Sequence, residues 1–135
     1  MKWIILIILF AKESARCRPG FLTMIKNVTI KKVIISKHRL CTSFFGKAFG
    51  LMFTSVPDYG LIFVFSKEQR VALTMWFVSY PIDVLWLDSA RRVVEIKKNF
   101  RPWKNYTPRK KAMYVIELPC GRIDAIKAGD RIEWC

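Results

Sequence analysis

The chain has 135 residues, 53% of them apolar and 25% charged, which fits one domain with its own apolar core and excludes a disordered chain or an ordinary membrane protein. Its 24 Lys and Arg residues against 10 acidic residues give a formal net charge of +14. A charge of this size predicts attraction to polyanions such as nucleic acid, anionic lipid or an acidic protein.

The first 23 residues form a hydrophobic leader. Lys2 is followed by eight apolar residues at positions 3–10 and then by a polar run. A bilayer-spanning helix takes about 20 apolar residues, whereas the apolar region of a signal peptide has about 7–15. Residues 1–23 are therefore interpreted as a signal or membrane anchor, or as a mis-assigned start that precedes translation from Met24. The protein is accordingly exported, membrane-associated through residues 3–10, or cytoplasmic if Met24 is the start.

Residues 24–135 are predicted to form a single β domain. The stretch 25–36 alternates apolar and polar residues and is rich in β-branched side chains, which predicts a strand or hairpin arm. Residues 38–52 repeat apolar positions every three to four residues, which predicts a short helix that ends at Gly50. The sequence "VPDYG" at 56–60 has the composition of a turn.

The remaining chain consists of short apolar segments separated by turn residues. Strands are predicted over 61–65, 71–78, 82–88, 93–98, 112–118 and 131–135. A charged turn separates the first two, and "SARR" joins the third and fourth as a hairpin. Residues 122–130 are predicted to be a short helical or irregular crossover. The pattern indicates an all-β, mainly antiparallel sandwich or barrel with one short helix.

The cysteines and the single histidine predict no metal site. Cys17, Cys41, Cys120 and Cys135 contain no C-x-x-C pair, and His38 is far in sequence from a second ligand. The chain also has no nucleophile motif and no phosphate-cradling glycine loop. We therefore expect no metal, no cofactor and reduced thiols.

Two acidic residues lie inside predicted strands. Asp83 shares a strand face with Leu85 and Leu87, and Glu117 shares one with Val115. One hypothesis is a carboxylate pair in a cleft, which would act as general acid and base in a hydrolase-like enzyme or would bind a hard cation. The alternative, which we favour, is structural: each carboxylate accepts hydrogen bonds from a turn or pairs with Lys or Arg.

The aromatic and methionine residues of the predicted strands are expected to build the core. A ligand groove is the alternative, because small-molecule pockets are mostly apolar with a few polar groups. The residues that would line it are Lys47, Met52, Met75, Trp76, Asp83, Trp103 and Glu117.

Residues 91–111, called the basic strip below, concentrate positive charge. The basic residues are Arg91, Arg92, Lys97, Lys98, Arg101, Lys104, Arg109, Lys110 and Lys111, with Glu95 as the one acidic residue. Because Phe100, Trp103 and Tyr106 lie between them, the strip has the composition of a phosphate-binding surface with base-stacking aromatics. A solvated loop is the alternative.

The composition offers another explanation for part of the charge. Gln69 is the only glutamine, against 24 Lys and Arg residues, and such a composition is typical of a heat-adapted organism. Part of the positive charge would then require no ligand.

Three segments in order resemble one known family. They are "KAFGLMFTSVPDYGLIFVF" (47–65), "MWFVSYPIDVLWLDSARRVVEI" (75–96) and "RPWKNYTPRKKAMYVIELPCGRIDAIKAGDRIEW" (101–134). Together they are similar to the domain of unknown function 192 family, also called uncharacterised protein family 0127, in its archaeal form. The resemblance implies a compact β-sandwich-like domain without an established activity. Many relatives have export or anchor segments at the N-terminus.

The resemblance also makes predictions for the basic strip, and the chain departs from the family pattern at two places. It implies that Trp103 and Tyr106 belong to a standard connection and fold back as a lid on the sandwich edge, with the basic residues turned to solvent. Bacterial-type relatives have an Asn-Thr pair where this chain has "FV" at 77–78, and the family usually has an arginine where this chain has Thr54. The resemblance therefore carries over no role that depends on the Asn-Thr pair.

These observations favour a monomeric, non-catalytic binding or accessory domain whose ligand or partner protein is unknown. The first alternative is binding of nucleic acid or another polyanion by the basic strip. The second is a hydrolase-like enzyme that uses Asp83 and Glu117.

Overall fold

The computed structural model describes residues 24–41 and 58–134, which form ten strands. They are β1 (Ile25–Asn27), β2 (Lys32–Ile35), β3 (His38–Cys41), β4 (Gly60–Gln69), β5 (Leu73–Thr74), β6 (Ile82–Leu87), β7 (Val93–Phe100), β8 (Asn105–Tyr106), β9 (Ala112–Pro119) and β10 (Ile132–Trp134). These two parts of the chain contain no helix. The predicted all-β class is confirmed.

The strands form three sheets. The largest has five strands in the order β3-β4-β9-β6-β7, and all its pairs are antiparallel except β3 with β4. A three-stranded sheet has the order β10-β1-β2, and a two-stranded ribbon joins β5 to β8. The predicted hairpin between β6 and β7 is present, whereas the stretch 25–36, predicted as one strand or hairpin arm, contains both arms of a hairpin, β1 and β2. The central strand β9 lies between β4 and β6, so its side chains face the two cores described next.

The five-stranded sheet is apolar on both faces, because all six residues of β6 are buried. One face packs on the three-stranded sheet through a core that includes Ile25, Ile132 and Leu85. The other face is covered by residues 71–80, which insert Met75 and Val78 against aromatic residues of the sheet. Removal of these apolar surfaces from water is the main stabilising contribution.

The prediction of a short helix over 38–52 is wrong for residues 38–41, the part of this segment that the structure describes. Residues 38–41 are strand β3, which pairs in parallel with the edge of β4 from His38↔Gly60 to Cys41↔Phe63. This pairing provides hydrogen-bond partners for backbone groups of both β3 and β4, whereas a helix would have satisfied only its own backbone groups. Residues 42–52 lie outside the described residues.

Two further segments differ from prediction, and a third adopts one of its two predicted forms. The proposed charged turn at 66–70 is instead the exposed end of β4, which continues to Gln69. The predicted strand 71–78 is a strand only at Leu73–Thr74, because the amide of Met75 bonds to Lys104 O and Phe77 has a positive φ of 61° that a strand excludes. Residues 122–130 form an irregular crossover with turns and without a helix.

Residues 1–23 also lie outside the described residues, so the leader interpretations stay predictions. In the ranges 24–41 and 58–134, no helix is long and apolar enough to span a membrane.

Candidate functional site

Asp83 is a buried structural carboxylate. Its Oδ1 accepts a hydrogen bond from the backbone N–H of Asn99 at 2.9 Å, and its Oδ2 accepts one from the N–H of Gly121, also at 2.9 Å. Both donors lie in irregular backbone: Asn99 has a φ of 49° in the bulged part of β7, and Gly121 has a φ of 88° in the turn after β9. Asp83 thus contacts the backbone of two irregular segments, an arrangement that the structural interpretation predicts.

Glu117 lies on the opposite face of the same sheet. It pairs in register with Val84, the neighbour of Asp83, and successive residues of a strand point to opposite faces. The structure therefore does not bring the two carboxylates together. Within the described ranges, the carboxyl of Glu117 has no hydrogen-bond or ion-pair partner, and burial raises its pKa to about 8. It is mainly protonated at neutral pH.

Glu95 organises the basic strip. Its Oε1 accepts a hydrogen bond from the hydroxyl of Tyr106 at 2.6 Å, and its Oε2 accepts bonds from the backbone N–H of Arg109 at 2.8 Å and of Lys110 at 3.0 Å. Burial alone would raise the pKa of Glu95, but these hydrogen bonds outweigh it and lower that pKa below its ordinary value. The one acidic side chain of the strip is thus bound to the loop that follows β8.

Tyr106 folds back on the sandwich edge, as the family resemblance implied. Its ring lies 5.3 Å from that of Trp86 and 6.1 Å from that of Phe100, centroid to centroid. The hydrogen bond to Glu95, followed by burial, raises the pKa of Tyr106. Lys97 extends over the same ring, with Nζ 5.0 Å from the centroid.

The basic side chains of the strip fall into two groups. Four of them make contacts within the domain: Arg91 stacks on Trp134 at 4.0 Å, Arg92 donates to Gly129 O, Lys97 covers Tyr106, and Lys98 lies 3.6 Å from Asp124. The others are Arg101, Lys104, Arg109, Lys110 and Lys111. These five are exposed and form no salt bridge with any residue of the described ranges. Their exposed side chains are accessible to a partner.

Beside the strip lies an aromatic cluster of Trp76, Phe77 and Trp103. Their side chains are 49%, 47% and 57% exposed. The ring of Trp103 meets those of Trp76 at 5.9 Å and Phe77 at 5.3 Å, both edge to face. Unlike Tyr106, Trp103 does not fold back as a lid, so that expectation is wrong for this residue.

Backbone hydrogen bonds hold the two loops of the aromatic cluster together. Met75 is buried beneath them; its N–H donates to Lys104 O at 2.8 Å, and its carbonyl accepts from Trp103 N–H at 3.0 Å. Phe77 and Trp103 both have a φ of 61°, a conformation that bulky residues rarely adopt. The ribbon of β5 and β8 leads directly into these loops, so the aromatic cluster and the basic strip share one support.

The predicted groove residues are dispersed. Trp76 and Trp103 are exposed in the aromatic cluster, Met75 is buried in the core, and Asp83 and Glu117 face opposite sides of the sheet. Lys47 and Met52 lie outside the described residues. Sequence reasoning missed Phe77, whose only signal was that it stands where bacterial-type relatives have a polar residue.

No group of three or more His, Cys, Asp or Glu side chains that could bind a metal occurs among the residues described. Cys120 is an exposed free thiol, and burial followed by the nearby charge of Asp83 raises its pKa. A raised pKa lowers the thiolate fraction and with it the reactivity.

The family is decided by a match along most of the chain. The sequence model of the family DUF192, which has the description "Uncharacterized ACR", matches residues 26–134 of this chain. The chain belongs to this family. A UPF0127 protein of Thermococcus sibiricus is 40% identical over 115 residues, which is 82% of this chain and 74% of the relative. One of Pyrococcus furiosus is 38% identical over 112 residues, or 80% and 95%.

Two solved structures share the DUF192 fold. A protein of unknown function from Novosphingobium aromaticivorans superimposes with a TM-score of 0.72 at 22% identity, covering 91% of this chain and 94% of its own. A Sinorhizobium meliloti protein, provisionally described as a transcription regulator, gives 0.71 at 24% identity, covering 83% and 91%. At this level of identity the likeness shows the fold alone. No catalytic role is shown for the family members that match.

Proposed function

We propose that this DUF192 protein is a non-catalytic binding domain for a polyanion, which it binds through the basic strip. The observation that supports this function is the arrangement around Glu95. The only carboxylate of the strip accepts hydrogen bonds from Tyr106 and from two backbone amides, and it forms no salt bridge with a basic side chain among the described residues.

Electrostatics favour a polyanion over a small anion. Five exposed cations without a salt bridge within the described residues lie on one connected segment, and the whole chain has a formal net charge of +14. A partner with regularly spaced phosphates can contact several of them at once and release the counterions it had bound. If all five contact a single strand, the affinity should fall with salt with a log–log slope of about −3.5.

The hydrolase alternative lacks comparable support. Both carboxylate oxygens of Asp83 accept backbone hydrogen bonds, and Glu117 lies on the other face of the sheet. A general acid and base must both reach one substrate atom.

Membrane association through residues 3–10 and the monomeric state remain predictions. Mass spectrometry of the native N-terminus, together with the cell fraction, would test the first, and light scattering would test the second.

The test compares two double variants with equal loss of charge. Lys110→Gln/Lys111→Gln removes two cations from the strip, and Lys31→Gln/Lys32→Gln removes two from the β1–β2 hairpin. Fluorescence anisotropy would follow the binding of labelled heparin and of a labelled oligonucleotide at increasing salt. We expect the strip variant to lower affinity and to reduce the slope for the single-stranded oligonucleotide by about 0.7 for each cation that no longer binds a phosphate, whereas the hairpin variant binds like the wild type.

Two outcomes would contradict the proposal. One is the absence of salt-dependent binding to either polyanion at low ionic strength. The other is an equal loss in both double variants, which would mean that net charge alone attracts polyanions without a defined surface.

A further inference from the structure

The aromatic cluster is a second feature of the surface that the charge of the strip does not explain. The ring of Trp103 contacts those of Trp76 and Phe77, and each of the three residues is about half exposed. Single exposed apolar residues are common, but a contiguous exposed group of three large aromatics indicates a binding surface. Contacts with the described residues leave about half of each of these residues exposed.

The backbone of the cluster adds to this argument. Phe77 and Trp103 hold left-handed conformations that glycine or asparagine would adopt at lower cost. The hydrogen bonds between Met75 and residues 103–104 join the two loops in which Phe77 and Trp103 lie. Large rings at these two positions therefore cost conformational free energy, and about half of each residue remains exposed.

The chemistry next to the cluster is cationic. Arg101 and Lys104 flank Trp103 in the chain, and both side chains are exposed. The remaining cations, at 109–111, are attached to the same segment through the backbone bonds of Arg109 and Lys110 to Glu95. An aromatic ring can stack on a planar base, and a cation without a salt bridge in the described residues can bind a phosphate. The surface therefore has groups for both parts of a nucleotide.

From this juxtaposition we infer that the aromatic cluster is a stacking platform for unpaired bases, so that the polyanion is a single-stranded nucleic acid. The inference rests on the proposed function of the basic strip and specifies its ligand. In a duplex the base faces are covered by neighbouring pairs and cannot reach the rings without unstacking. A single strand offers free bases, and aromatic stacking accepts every base because each has a π-face.

An anionic membrane is the competing partner, because Trp and Lys also occur at lipid interfaces. The aliphatic residues of the loop after β5 are turned inward, with Met75 and Val78 buried. The two loops therefore present aromatic rings and cations without an exposed aliphatic side chain. Because Trp and Phe also insert at lipid interfaces, binding to vesicles is measured beside binding to oligonucleotides in the experiment below.

The experiment measures binding of the full chain to four probes: oligothymidylate, a duplex of the same length, phosphatidylserine-containing vesicles and polyglutamate. The variants are Trp103→Ala, Trp103→Phe and, as a control at an exposed apolar residue of β2, Val33→Ala. Thermal unfolding of each variant confirms that it is folded. Quenching of tryptophan fluorescence by the oligonucleotide reports stacking directly.

We expect wild type to bind oligothymidylate more tightly than the duplex at equal salt. Trp103→Ala should lower the affinity for oligothymidylate about tenfold without changing the salt slope, and Trp103→Phe should retain most of it. Val33→Ala should bind like the wild type. Quenching should be weaker in both Trp103 variants than in the wild type.

The failures are distinguishable. If single strand and duplex bind equally and Trp103→Ala changes neither, while Lys110→Gln/Lys111→Gln weakens both, the stacking inference is overturned and the proposed function stands. If vesicles or polyglutamate bind more tightly than oligothymidylate and lose affinity in Trp103→Ala, the ligand class is wrong. If no polyanion binds in a salt-dependent manner, the inference and the proposed function fail together.

Discussion

The hydroxyl of Tyr106 donates a hydrogen bond to Glu95 Oε1 at 2.6 Å, and this bond links the edge strand of the sheet to the loop with the exposed cations. Tyr106 is packed against Trp86 and Phe100, so its position is set by the core. Glu95 then binds the amides of Arg109 and Lys110. The fold of the apolar core thereby determines where the strip presents its charge.

A double-mutant cycle with Tyr106→Phe and Glu95→Ala would measure this hydrogen bond. Tyr106→Phe should lower the free energy of unfolding by about 1–2 kcal/mol, because it deletes one hydrogen bond to a charged acceptor. Glu95→Ala should cost about 2–4 kcal/mol, since three donors lose their acceptor. The coupling energy from urea unfolding should be about 1–2 kcal/mol. A coupling near zero would mean that the bond does not form in solution.

The same carboxylate should contribute to acid sensitivity. The pKa of Glu95 is lower in the folded state than its ordinary value of 4.5, so the charged form is the one that stabilises the fold. Its contribution is present above about pH 4.5 and is lost as the pH falls through the folded pKa. Unfolding followed by circular dichroism should therefore show a steeper acid limb for the wild type than for Glu95→Gln. Parallel acid limbs would show that Glu95 is not perturbed.

Asp83→Asn should destabilise the domain strongly. The amide group keeps one acceptor oxygen but points an NH₂ donor at the N–H of Asn99 or of Gly121, so one buried donor loses its partner. We expect a loss of about 2–4 kcal/mol in urea unfolding. Asp124→Asn is the matched control, because its carboxylate is exposed and lies 3.6 Å from Lys98; we expect a change below about 1 kcal/mol. An unchanged stability for Asp83→Asn would exclude its structural role.

The strands that could be predicted from sequence are those with a strong local pattern. Strands β6 and β9 are rich in β-branched and apolar residues. The turn composition of "SARR" also predicted the pairing of β6 with β7, because the two strands are neighbours in sequence. Residues 71–78 have a similar composition but are mostly irregular. Their backbone bonds to residues 103–104, a long-range interaction that the local sequence does not encode.

The candidate site shows the same limit. The alternation of side chains along a strand correctly predicted which residues share a sheet face with Asp83 and which share one with Glu117. It could not predict how the two strands are aligned, and the observed pairing of Val84 with Glu117 places the two carboxylates on opposite faces. Both Tyr106 and Trp103 were expected to form a lid. Tertiary packing buries the first beside Glu95, whereas the left-handed backbone of the second directs its ring outward. Sequence spacing could not separate these two outcomes.

Glu117 should make the stability depend on pH in the neutral range. Burial raises its pKa from 4.5 to about 8, so the folded state favours the protonated form. The contribution of this group is fully present below about pH 4.5 and is lost as the pH rises through about 8. The free energy of unfolding of the wild type should therefore fall relative to that of Glu117→Gln over this interval, because glutamine does not ionise.

The expected difference is about 1–3 kcal/mol by pH 9, since partial access of solvent to the side chain reduces the full effect of the pKa shift. Urea unfolding at closely spaced pH values would measure it. Glu133→Gln, which removes a carboxylate that pairs with Arg131 on β10, should follow the pH profile of the wild type. If Glu117→Gln and the wild type show the same profile from pH 5 to 9, the pKa of Glu117 is not raised in the folded protein.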